Sequence, residues 1–507
     1  MTYQRVTGRV GHVLASLAEL WFDRARTHPD DPAVDDGRGW LTWAELLPRA
    51  RAVGAALAEA GVGPGDVVVL QARNTVEWVL VAAGVHLLGA TLAPLGAEEP
   101  VASRQEYAAR VGARVVVAEV PVAGELDLGL ACPPHPVPTG REIDLESADP
   151  RGVRSPGPAV VLATSGTAGH RSTVPMDHDV LVRLYGDVAV MLDVGRGDRL
   201  LGVVPLAHSF GFNGLLVLAL LTGASLRLVP ERDPRALPGL VRESGATIVA
   251  GPPALLHDLA GAVLGGDGLG PQVRLFMTGA TEVRPDALLP LADRAGIPRV
   301  SSGYGLTQTC GTVAICPDIG RLADAGHAPM TVVPGVEVVV VDALGSPVPP
   351  GARGRVLTRG YQVAVPTDAD GWLVTGDEGH LHPDGTLCIT GRVDDQLVVS
   401  GFNVDPVRVE QALARSPYVA QVAVVGVPDP RRGHRLVAVA VPAEGVDADG
   451  RNDAAVLAQA RAVLAGYEVP DTVVWMDALP HTTTGKLSRA TVRRMLAEHL
   501  GDHDQED

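Results

Sequence analysis

The sequence predicts an α/β protein whose large N-terminal part is built on mostly parallel sheets. Short apolar segments of strand length alternate with helix-length segments over roughly the first two thirds of the chain, an alternation typical of parallel sheets covered by helices. These strand candidates begin at Val67, Ala113, Val160, Leu200, Ser225, Ala246 and Val273. From residue 331 onward short Val-, Gly- and Pro-rich strands predict a small β subdomain, and after Gly391 a further set of strands and helices predicts a separate α+β domain.

Taken in order, the helical and strand patterns give the following elements. Apolar spacing over residues 11–60 predicts helices, and residues 77–89 predict another helix after the strand at Val67. In the last part, strands are expected at Gln421 and Leu436, with helices over 453–466 and 489–499. We therefore expect an N-terminal domain over 1–392, in which 331–392 form the β subdomain, and a C-terminal domain over 393–507.

Composition excludes several classes of protein. The 507 residues carry a net charge of −17, which disfavours a nucleic-acid partner. The first residues are mixed and polar, so no secretory signal is expected, and the most apolar run, Leu215 to Leu221, is far shorter than the roughly 20 residues that span a bilayer. The four cysteines contain no CxxC pair, which predicts a reduced, cytoplasmic enzyme without structural zinc.

A glycine- and hydroxyl-rich segment follows the apolar strand at Val160. Residues 164–169 read TSGTAG, and such a segment can place backbone N–H groups and hydroxyls around phosphate oxygens. It is not a Walker A loop, because G-x-x-x-x-G-K-[ST] does not occur in the chain. On this segment alone, a phosphate loop and an ordinary surface turn are about equally well supported.

Five further segments follow in order: PLAHSFG at 205–211, YGLTQ at 304–308, TGD at 375–377, GRVDD at 391–395 with Gly401 beyond, and PHTTTGKLSR at 480–489. In this order and spacing the chain resembles the ANL superfamily of adenylate-forming enzymes, which contains acyl-CoA synthetases, carrier-loading adenylation domains and luciferases. Each motif alone is weak, but the whole series from Thr164 to Arg489 is specific, and the resemblance covers nearly the whole chain. It favours the acyl-CoA synthetase branch.

The resemblance implies roles for individual residues. Asp377 and Arg392 would hold the ribose hydroxyls, and Tyr304 would lie against adenine. Lys486, which is the only lysine in the chain, would bridge carboxylate and α-phosphate oxygens as the acid attacks, where its charge offsets the charge that develops. The other nucleotide-binding residues implied are Thr164, Ser165, Gly166, Thr167, Gly169, Gly279, Ala280, Gly305, Thr307 and Gln308.

The remaining roles concern the acyl group, CoA and domain movement. His208, also a candidate catalytic residue, would line the acyl pocket with Phe212 and Gly303, and the apolar neighbours in this stretch suggest an apolar acid. The C-terminal domain would rotate about Asp394 and open a CoA tunnel near Gly401. The reaction implied is acid + ATP → acyl-AMP + PPi, followed by acyl-AMP + CoA → acyl-CoA + AMP.

Two departures from the family pattern lie on the polyphosphate side of the nucleotide. The glycine loop continues as Gly-His-Arg-Ser, so Ser172 stands where the family has lysine, although Arg171 could supply a charge one residue earlier. Gln308 stands where the family has the glutamate that binds Mg²⁺, a hard cation that favours carboxylates, so no metal ligand is assigned and Mg²⁺ is doubtful. The hypothesis is that adenylation is impaired and that the chain acts mainly on acyl-adenylate from a separate enzyme. Lys486 argues the other way.

Alternatives stay open at this point. The chain could load a carrier protein, although the lack of an aspartate in 208–215 disfavours amino acids; it could be a non-catalytic protein that binds acyl-AMP; an oxygenase is least favoured. Asp377 could be a turn residue, His208 a structural histidine, and Cys310 is better explained by packing than as a nucleophile. The partners expected are a small carboxylic acid or its adenylate, ATP or AMP, and CoA, with no nucleic acid and no membrane. A homodimer is the expectation from base rates.

Overall fold

The structure, a computed structural model, describes most of the chain. The described residues are 16–122, 125–126, 156–163, 172–231, 233–263, 269–279, 283, 285–322, 328–392, 397–399, 402–404, 406–429, 433–446, 451–462, 464, 466–481, 487–489 and 491–496.

The largest sheet has nine strands, and its central strands are parallel, as the sequence predicts. Its spatial order is β14-β13-β12-β11-β10-β8-β9-β1-β2, and the neighbours from β12 to β1 all pair in parallel. The edge strands β2, β13 and β14 are antiparallel to their neighbours. The strands are β1 (Pro32–Asp35), β2 (Leu41–Thr42), β8 (Arg199–Gly202), β9 (Ser225–Leu228), β10 (Ile248–Ala250), β11 (Leu275–Gly279), β12 (Val300–Tyr304), β13 (Ala314–Cys316) and β14 (Thr331–Val332).

A second sheet of five strands carries the segment that precedes the glycine-rich loop. Its order is β5-β3-β4-β6-β7, with parallel pairs except for the antiparallel pair of β6 and β7. Ala163 at the end of β6 is paired with Thr173 at the start of β7, so residues 164–172 connect two neighbouring antiparallel strands. The strands are β3 (Val67–Gln71), β4 (Thr91–Leu95), β5 (Ala113–Ala118), β6 (Val160–Ala163) and β7 (Thr173–Met176).

The predicted β subdomain is a four-stranded antiparallel sheet in which the strands follow one another in chain order. It starts later than expected, because residues 331–332 pair with β13 and so belong to the nine-stranded sheet. The strands are β15 (Val336–Val341), β16 (Gly354–Gly360), β17 (Leu373–Leu381) and β18 (Leu387–Arg392).

The C-terminal part contains a further mixed sheet, as expected for an α+β unit. The long hairpin of β21 and β22 forms its centre, and β23 pairs in parallel with β22. The strands are β19 (Leu397–Val399), β20 (Phe402–Val404), β21 (Val419–Asp429), β22 (Gly433–Pro442) and β23 (Thr472–Trp475). The helix predicted over 453–466 ends at Arg461, and residues 489 and 491–496 of the last predicted helix are helical.

Helices cover both large sheets, and several begin at side-chain caps. Ser16 and Thr42 each accept a hydrogen bond from the backbone of a glutamate three residues later, which satisfies N–H groups that have no partner within a helix. The helices are α1 (Leu17–Thr27), α2 (Trp43–Glu59), α3 (Val76–Leu87), α4 (Val101–Val111), α5 (His178–Leu192), α6 (Ser209–Gly211), α7 (Leu218–Thr222), α8 (Leu237–Ser244), α9 (Pro253–Ala262), α10 (Pro285–Ala295), α11 (Ile319–Leu322), α12 (Pro406–Leu413) and α13 (Asp453–Arg461).

A π-helix of 6 residues, Phe212–Val217, joins α6 to α7, so that residues 209–222 form one continuous helical segment. The π-helix itself is buried in the main hydrophobic core of the N-terminal part, whereas Ser209, Phe210 and Leu221 of the segment are partly accessible. Within the described part of the chain, no helix has both the length and the apolar character needed to cross a bilayer. The predicted fold class, α/β with a β subdomain and a small α+β C-terminal part, is confirmed.

Candidate active site

A tyrosine and a carboxylate from two different sheets meet at the end of β12. The hydroxyl of Tyr304 donates a hydrogen bond of 2.7 Å to Oδ2 of Asp377 on β17. Asp377 is almost fully buried, whereas Tyr304 is half-buried. An ionised carboxylate offers about four acceptor positions, so this bond leaves capacity for further hydroxyl donors. The two residues that the sequence assigns to adenine and ribose therefore lie side by side.

The backbone around Asp377 is fixed by its own strand. The amide of Asp377 donates to the hydroxyl of Thr375 (3.1 Å), and that hydroxyl donates to the carbonyl of Val356 on β16 (2.7 Å). Arg392 is the direct cross-strand partner of Asp377 on β18, which places the two implied ribose residues at the same level of the sheet. Because Asp377 lies inside β17, the alternative that it is an ordinary turn residue is wrong.

After Tyr304 the chain folds back on itself in a tight turn over residues 305–311. A short 3₁₀ segment, Thr307–Thr309, is closed by the side chain of Thr309, which accepts a hydrogen bond from the amide of Leu306 (3.0 Å). A side chain at Gly305 would meet the carbonyl oxygen of Gly311 at 2.4 Å, so only glycine allows the two ends of the turn to approach. The backbone then returns through Cys310, whose φ of 51° is left-handed.

Two buried side chains hold this turn by hydrogen bonds to one of its backbone carbonyls. The carbonyl of Cys310 accepts hydrogen bonds from the hydroxyl of Tyr185 (3.1 Å) and from Nδ2 of Asn213 (3.0 Å). Burial raises the pKa of Tyr185 and raises the pKa of the Cys310 thiol to about 12. A thiol that stays protonated is a poor nucleophile, which agrees with the expectation that Cys310 packs.

Gln308 lies in the same turn and links it to the segment that follows β16 of the β subdomain. Its carbonyl accepts a hydrogen bond of 2.9 Å from the amide of Ala364, which follows β16. The residue is half-buried. Its side chain offers Mg²⁺ a neutral amide oxygen where a charged carboxylate would suit the ion better, so this turn does not fit the magnesium site that the resemblance implies.

His208 begins the helical segment 209–222. The residue is half-buried and precedes α6 as its N-cap, and its carbonyl accepts from the amide of Phe212 (2.8 Å). Asn74 holds the preceding loop through two bonds, one from its Nδ2 to the carbonyl of Val204 (2.8 Å) and one to its Oδ1 from the amide of Leu206 (2.9 Å). The position is compatible with a pocket-lining role for His208, which remains a proposal.

Phe212 does not lie where the sequence suggests. It has no exposed surface and packs edge-on against Trp78 (6.3 Å between ring centroids) and His86 (6.2 Å). Its ring belongs to the hydrophobic core, so in this arrangement no ligand can touch it, and we remove it from the acyl pocket. A π-helix starts at this residue and all of its residues, Phe212–Val217, are buried, whereas His208 before α6 is partly accessible.

The two glycines at the ends of β11 and β12 behave differently. A side chain on Gly279 would meet the carbonyl oxygen of Gly303 at 2.6 Å, so glycine there allows the neighbouring strands to pair closely. A side chain on Gly303 would meet only the carbonyl oxygen of Thr278, at 4.0 Å. Gly303 therefore leaves open space beside Tyr304, as a ligand-facing position requires.

Several predicted site residues lie outside the described residues, and their roles stay predictions. They are Thr164, Ser165, Gly166, Thr167, Gly169, Ala280, Asp394, Gly401 and Lys486, and the side chain of Arg392 belongs to the same group. Among the described residues, β6 pairs in parallel with β4 and ends at Ala163, and ligands in α/β folds bind near the carboxyl ends of such strands.

Comparison with known proteins decides the family. A family model described as "AMP-binding enzyme" matches residues 21–365, and one described as "AMP-binding enzyme C-terminal domain" matches residues 408–486. The chain belongs to the AMP-binding enzyme family. It is a member of the acyl-CoA ligase branch of the ANL superfamily and hence an enzyme of the acid–thiol ligase type.

Curated relatives match the ligase over nearly its full length. It is 31% identical to a feruloyl-CoA synthase of Amycolatopsis sp., with 93% of this chain and 97% of the relative covered. It is 30% identical to a (methyl-dioxo-octahydro-indenyl)propanoyl:CoA ligase of Mycobacterium tuberculosis, again with 93% and 97% covered. The crystal structure of the anthranilate CoA ligase AuaEII in complex with anthranoyl-AMP shares the fold, with a TM-score of 0.81 at 22% identity over 98% of this chain and 99% of that one.

Three positioning residues of the ligase are not apparent from motif reading: Asn74, Tyr185 and Asn213. Asn213 carries a signal that could have been used, because a lone amide within the apolar run 212–221 must find a hydrogen-bond partner when buried. Tyr185 and Asn74 carry no such signal, since their partners are backbone carbonyls and amides more than 100 residues away in the chain.

Proposed function

We propose that the ligase forms the CoA thioester of an apolar carboxylic acid through an acyl-AMP intermediate, and that its first half-reaction is slow. On this view thioester formation from acyl-adenylate is the efficient step, and the adenylate is supplied in part by a separate enzyme. The observation that carries the proposal is the contrast between an assembled Tyr304–Asp377 pair on the AMP side and the neutral Gln308 on the polyphosphate side.

The AMP side is organised before any ligand arrives. Tyr304 fixes one oxygen of Asp377, and Thr375 fixes its backbone, so the carboxylate can accept ribose hydroxyls without rearranging. Groups held in position in advance lose little conformational entropy on binding. Both half-reactions need this side, because acyl-AMP and ATP share the ribose and the α-phosphate.

The polyphosphate side lacks two charges that the family uses. Ser172 is exposed directly before β7, which starts at Thr173, and it carries no charge where the family has lysine. Gln308 adds a second neutral group in place of the glutamate. Only the first half-reaction contains β- and γ-phosphates, so the loss falls on adenylation and spares thioester formation.

The proposed substrate class rests on the names of two relatives and on the residues of the stretch 208–215. The two curated relatives are named for ring-containing acids, feruloyl and octahydro-indenyl propanoyl. An amino acid is disfavoured because the stretch 208–215 contains no carboxylate to pair with an amine, and its buried amide, Asn213, is already bonded to the carbonyl of Cys310.

The variant Gln308→Glu tests the proposal. With acid, ATP, Mg²⁺ and CoA, we expect acyl-CoA formation to rise at least about tenfold, equivalent to about 1.4 kcal/mol of activation free energy, because a carboxylate ligand for Mg²⁺ is restored. With synthetic acyl-adenylate and CoA, the rate of the same variant should stay unchanged. Acyl-CoA is quantified by mass spectrometry in both arms.

Gln105→Glu is the matched control, since it adds the same charge at an exposed position of α4. It should change neither arm. A Gln308→Glu variant that behaves like this control would show that the lost carboxylate does not limit adenylation. Turnover with neither acid nor adenylate would instead favour a non-catalytic binding protein, and transfer only to a pantetheinylated carrier would favour carrier loading.

A further inference from the structure

A cluster of metal-ligating side chains lies on the β17–β18 hairpin. His380, His382 and Cys388 each offer one ligand atom, and all three atoms lie within 4.8 Å of one another. Nε2 of His382 is 3.2 Å from Sγ of Cys388, and the two imidazole rings stand edge to face with centroids 4.9 Å apart. Cys388 is buried, whereas both histidines are partly accessible.

The hairpin geometry explains why three residues spread over nine positions meet. His380 on β17 is the direct cross-strand partner of Cys388 on β18, so their side chains stand on the same face of the sheet. The turn after β17 is closed by two bonds, from the amide of His382 to the carbonyl of Thr386 (2.8 Å) and from the amide of Gly385 to the carbonyl of His382 (2.9 Å). His382, two residues after His380, returns to the same face.

The turn itself is held by Asp384. Its Oδ1 accepts hydrogen bonds from the amide and from the hydroxyl of Thr386, at 2.9 and 2.7 Å. The position of His382 is thus fixed by a short, well-bonded loop, and little rearrangement is needed to bring a third ligand to a bound ion.

The donor set selects the class of ion. Two imidazoles and one thiolate suit a borderline-soft transition metal and not Mg²⁺ or Ca²⁺, which favour oxygen ligands. Zn²⁺ is commonly held by three protein side chains of this kind with water in the fourth position. Zinc binds nitrogen at about 2.0 Å and sulfur at about 2.3 Å. At these bond lengths the three ligand atoms must lie closer to one another than the 4.8 Å within which they now lie, and rotation of the side chains can bring them together.

We propose that His380, His382 and Cys388 form a zinc-binding site on this hairpin. Binding forms one Zn–S bond and two Zn–N bonds; the Cys388 thiol loses its proton to solvent, water molecules leave the aqueous ion, and no electron is transferred. His380 follows Asp377 by three residues on β17, and the pairing of β17 with β18 has an irregularity between Glu378 and Gly379, so the zinc site is placed further along the same strand from the ribose carboxylate. A bound ion would clamp the two strands that carry Asp377 and Arg392. The assignment does not depend on the proposed function.

The test uses the untagged full-length protein. After treatment with a chelator, loading with Zn²⁺ and dialysis against metal-free buffer, elemental analysis should find about one zinc per chain. Replacing zinc by Co²⁺ should give the visible bands of a tetrahedral cobalt site and a thiolate-to-cobalt charge-transfer band. The melting temperature of the zinc-loaded protein should exceed that of the metal-free protein, because an ion that binds only the folded state stabilises it.

Cys388→Ser should abolish the charge-transfer band and the retained zinc, and His382→Gln should abolish the retained zinc independently of any effect of the serine on the core. Cys316→Ser and His257→Gln are matched controls, one at a buried cysteine of β13 and one at an exposed histidine of α9, and both should keep the ion. Absence of retained zinc in the wild-type protein, equal retention in Cys388→Ser, or retention of copper without zinc would overturn the assignment. In the first case the 3.2 Å contact would be a simple hydrogen bond between His382 and Cys388.

Discussion

At the scale of single residues, the AMP side of the site rests on one hydrogen bond between two sheets. Tyr304 is the last residue of β12 in the nine-stranded sheet and Asp377 lies in the β subdomain, so their 2.7 Å contact also joins these two parts of the chain. Both residues were foreseen from their motifs, but the bond between them was not, because no pattern within either segment encodes a partner 73 residues away.

Asp377→Asn should weaken AMP binding by about 1.5–3 kcal/mol, the usual contribution of hydrogen bonds to a charged group. The amide keeps the shape but gives up the charge and one acceptor oxygen. Tyr304→Phe, which removes only the hydroxyl, should cost about 1 kcal/mol. Isothermal titration with AMP measures both. Equal, unchanged affinities in the two variants would show that this pair does not bind the ribose.

Two buried histidines set the acid stability of the N-terminal part. His86 and His178 stack edge to face at 5.8 Å, and burial lowers their pKa values to about 3 and about 4. Nδ1 of His178 accepts from the amide of Leu17, and Nδ1 of His86 from the indole of Trp21, so both rings are neutral acceptors in the folded state.

The unfolded chain binds protons at these histidines below a pH of about 6.5, whereas the folded chain does not. The free energy of unfolding should therefore fall by about 4 kcal/mol for the two groups together as the pH drops from 7 to 5, because each contributes about 1.4 kcal/mol per pH unit over the roughly 1.5 units below its unfolded pKa of about 6.5. Urea unfolding at the two pH values checks this. His178→Phe should halve the slope, and His257→Gln should leave it intact; a wild-type protein equally stable at both pH values would contradict the account.

At the scale of elements, the turn over 305–311 is supported from two sides. The carbonyl of Cys310 accepts hydrogen bonds from both Tyr185 and Asn213. The carbonyl of Gln308 accepts one from the amide of Ala364. The motif YGLTQ at 304–308 could be recognised from sequence through its resemblance to the ANL superfamily. The support could not, because it comes from Tyr185 and Asn213, which are 125 and 97 residues from Cys310 along the chain.

A double-mutant cycle tests this support. Tyr185→Phe and Asn213→Leu should each destabilise the protein by about 1–3 kcal/mol, because each removes one donor to a buried carbonyl. The double variant removes both donors that we identify, so its loss should exceed the sum by at least about 1 kcal/mol. Urea unfolding provides the energies. If the two losses of stability add within about 0.5 kcal/mol, the two side chains stabilise the protein independently and not through the shared carbonyl of Cys310.

The β17–β18 hairpin shows a limit of spacing arguments at the same scale. Scattered cysteines without a CxxC pair predicted no zinc site, and that expectation considered cysteine spacing along the chain alone. Cross-strand pairing instead brings Cys388 opposite His380, with His382 beside them, so the candidate site depends on strand register, which the sequence does not display.

At the scale of the whole molecule, the parallel order of the large sheets followed from short apolar segments that alternate with helix-length segments, and the β subdomain followed from short Val-, Gly- and Pro-rich strands after residue 331. The meeting of distant motifs followed from the family resemblance and not from periodicity. What no sequence pattern supplied was the inward turn of Phe212 and the anchoring of the loop before His208 by Asn74, both of which depend on contacts across the fold.

The two-domain arrangement leads to a prediction for Lys486. By resemblance this lysine acts while the acid attacks ATP and then moves away as the C-terminal domain rotates. Lys486→Ala should therefore lower acyl-CoA formation from acid and ATP by at least about 100-fold, equivalent to about 2.7 kcal/mol, and leave formation from acyl-adenylate nearly unchanged. Mass spectrometry of both routes measures the difference. Lys486→Arg serves as a control for charge, and equal losses in both routes would show that the lysine serves thioester formation as well.

The central claim is that the second half-reaction is efficient in this chain and the first is not. The most direct measurement compares initial rates of acyl-CoA formation by the wild-type protein from a panel of ring-containing acids with ATP, Mg²⁺ and CoA, and from the matching acyl-adenylates with CoA alone. The account predicts much faster product formation from the adenylates. Equal rates by the two routes would contradict it and would establish a complete two-step ligase in which Gln308 is tolerated.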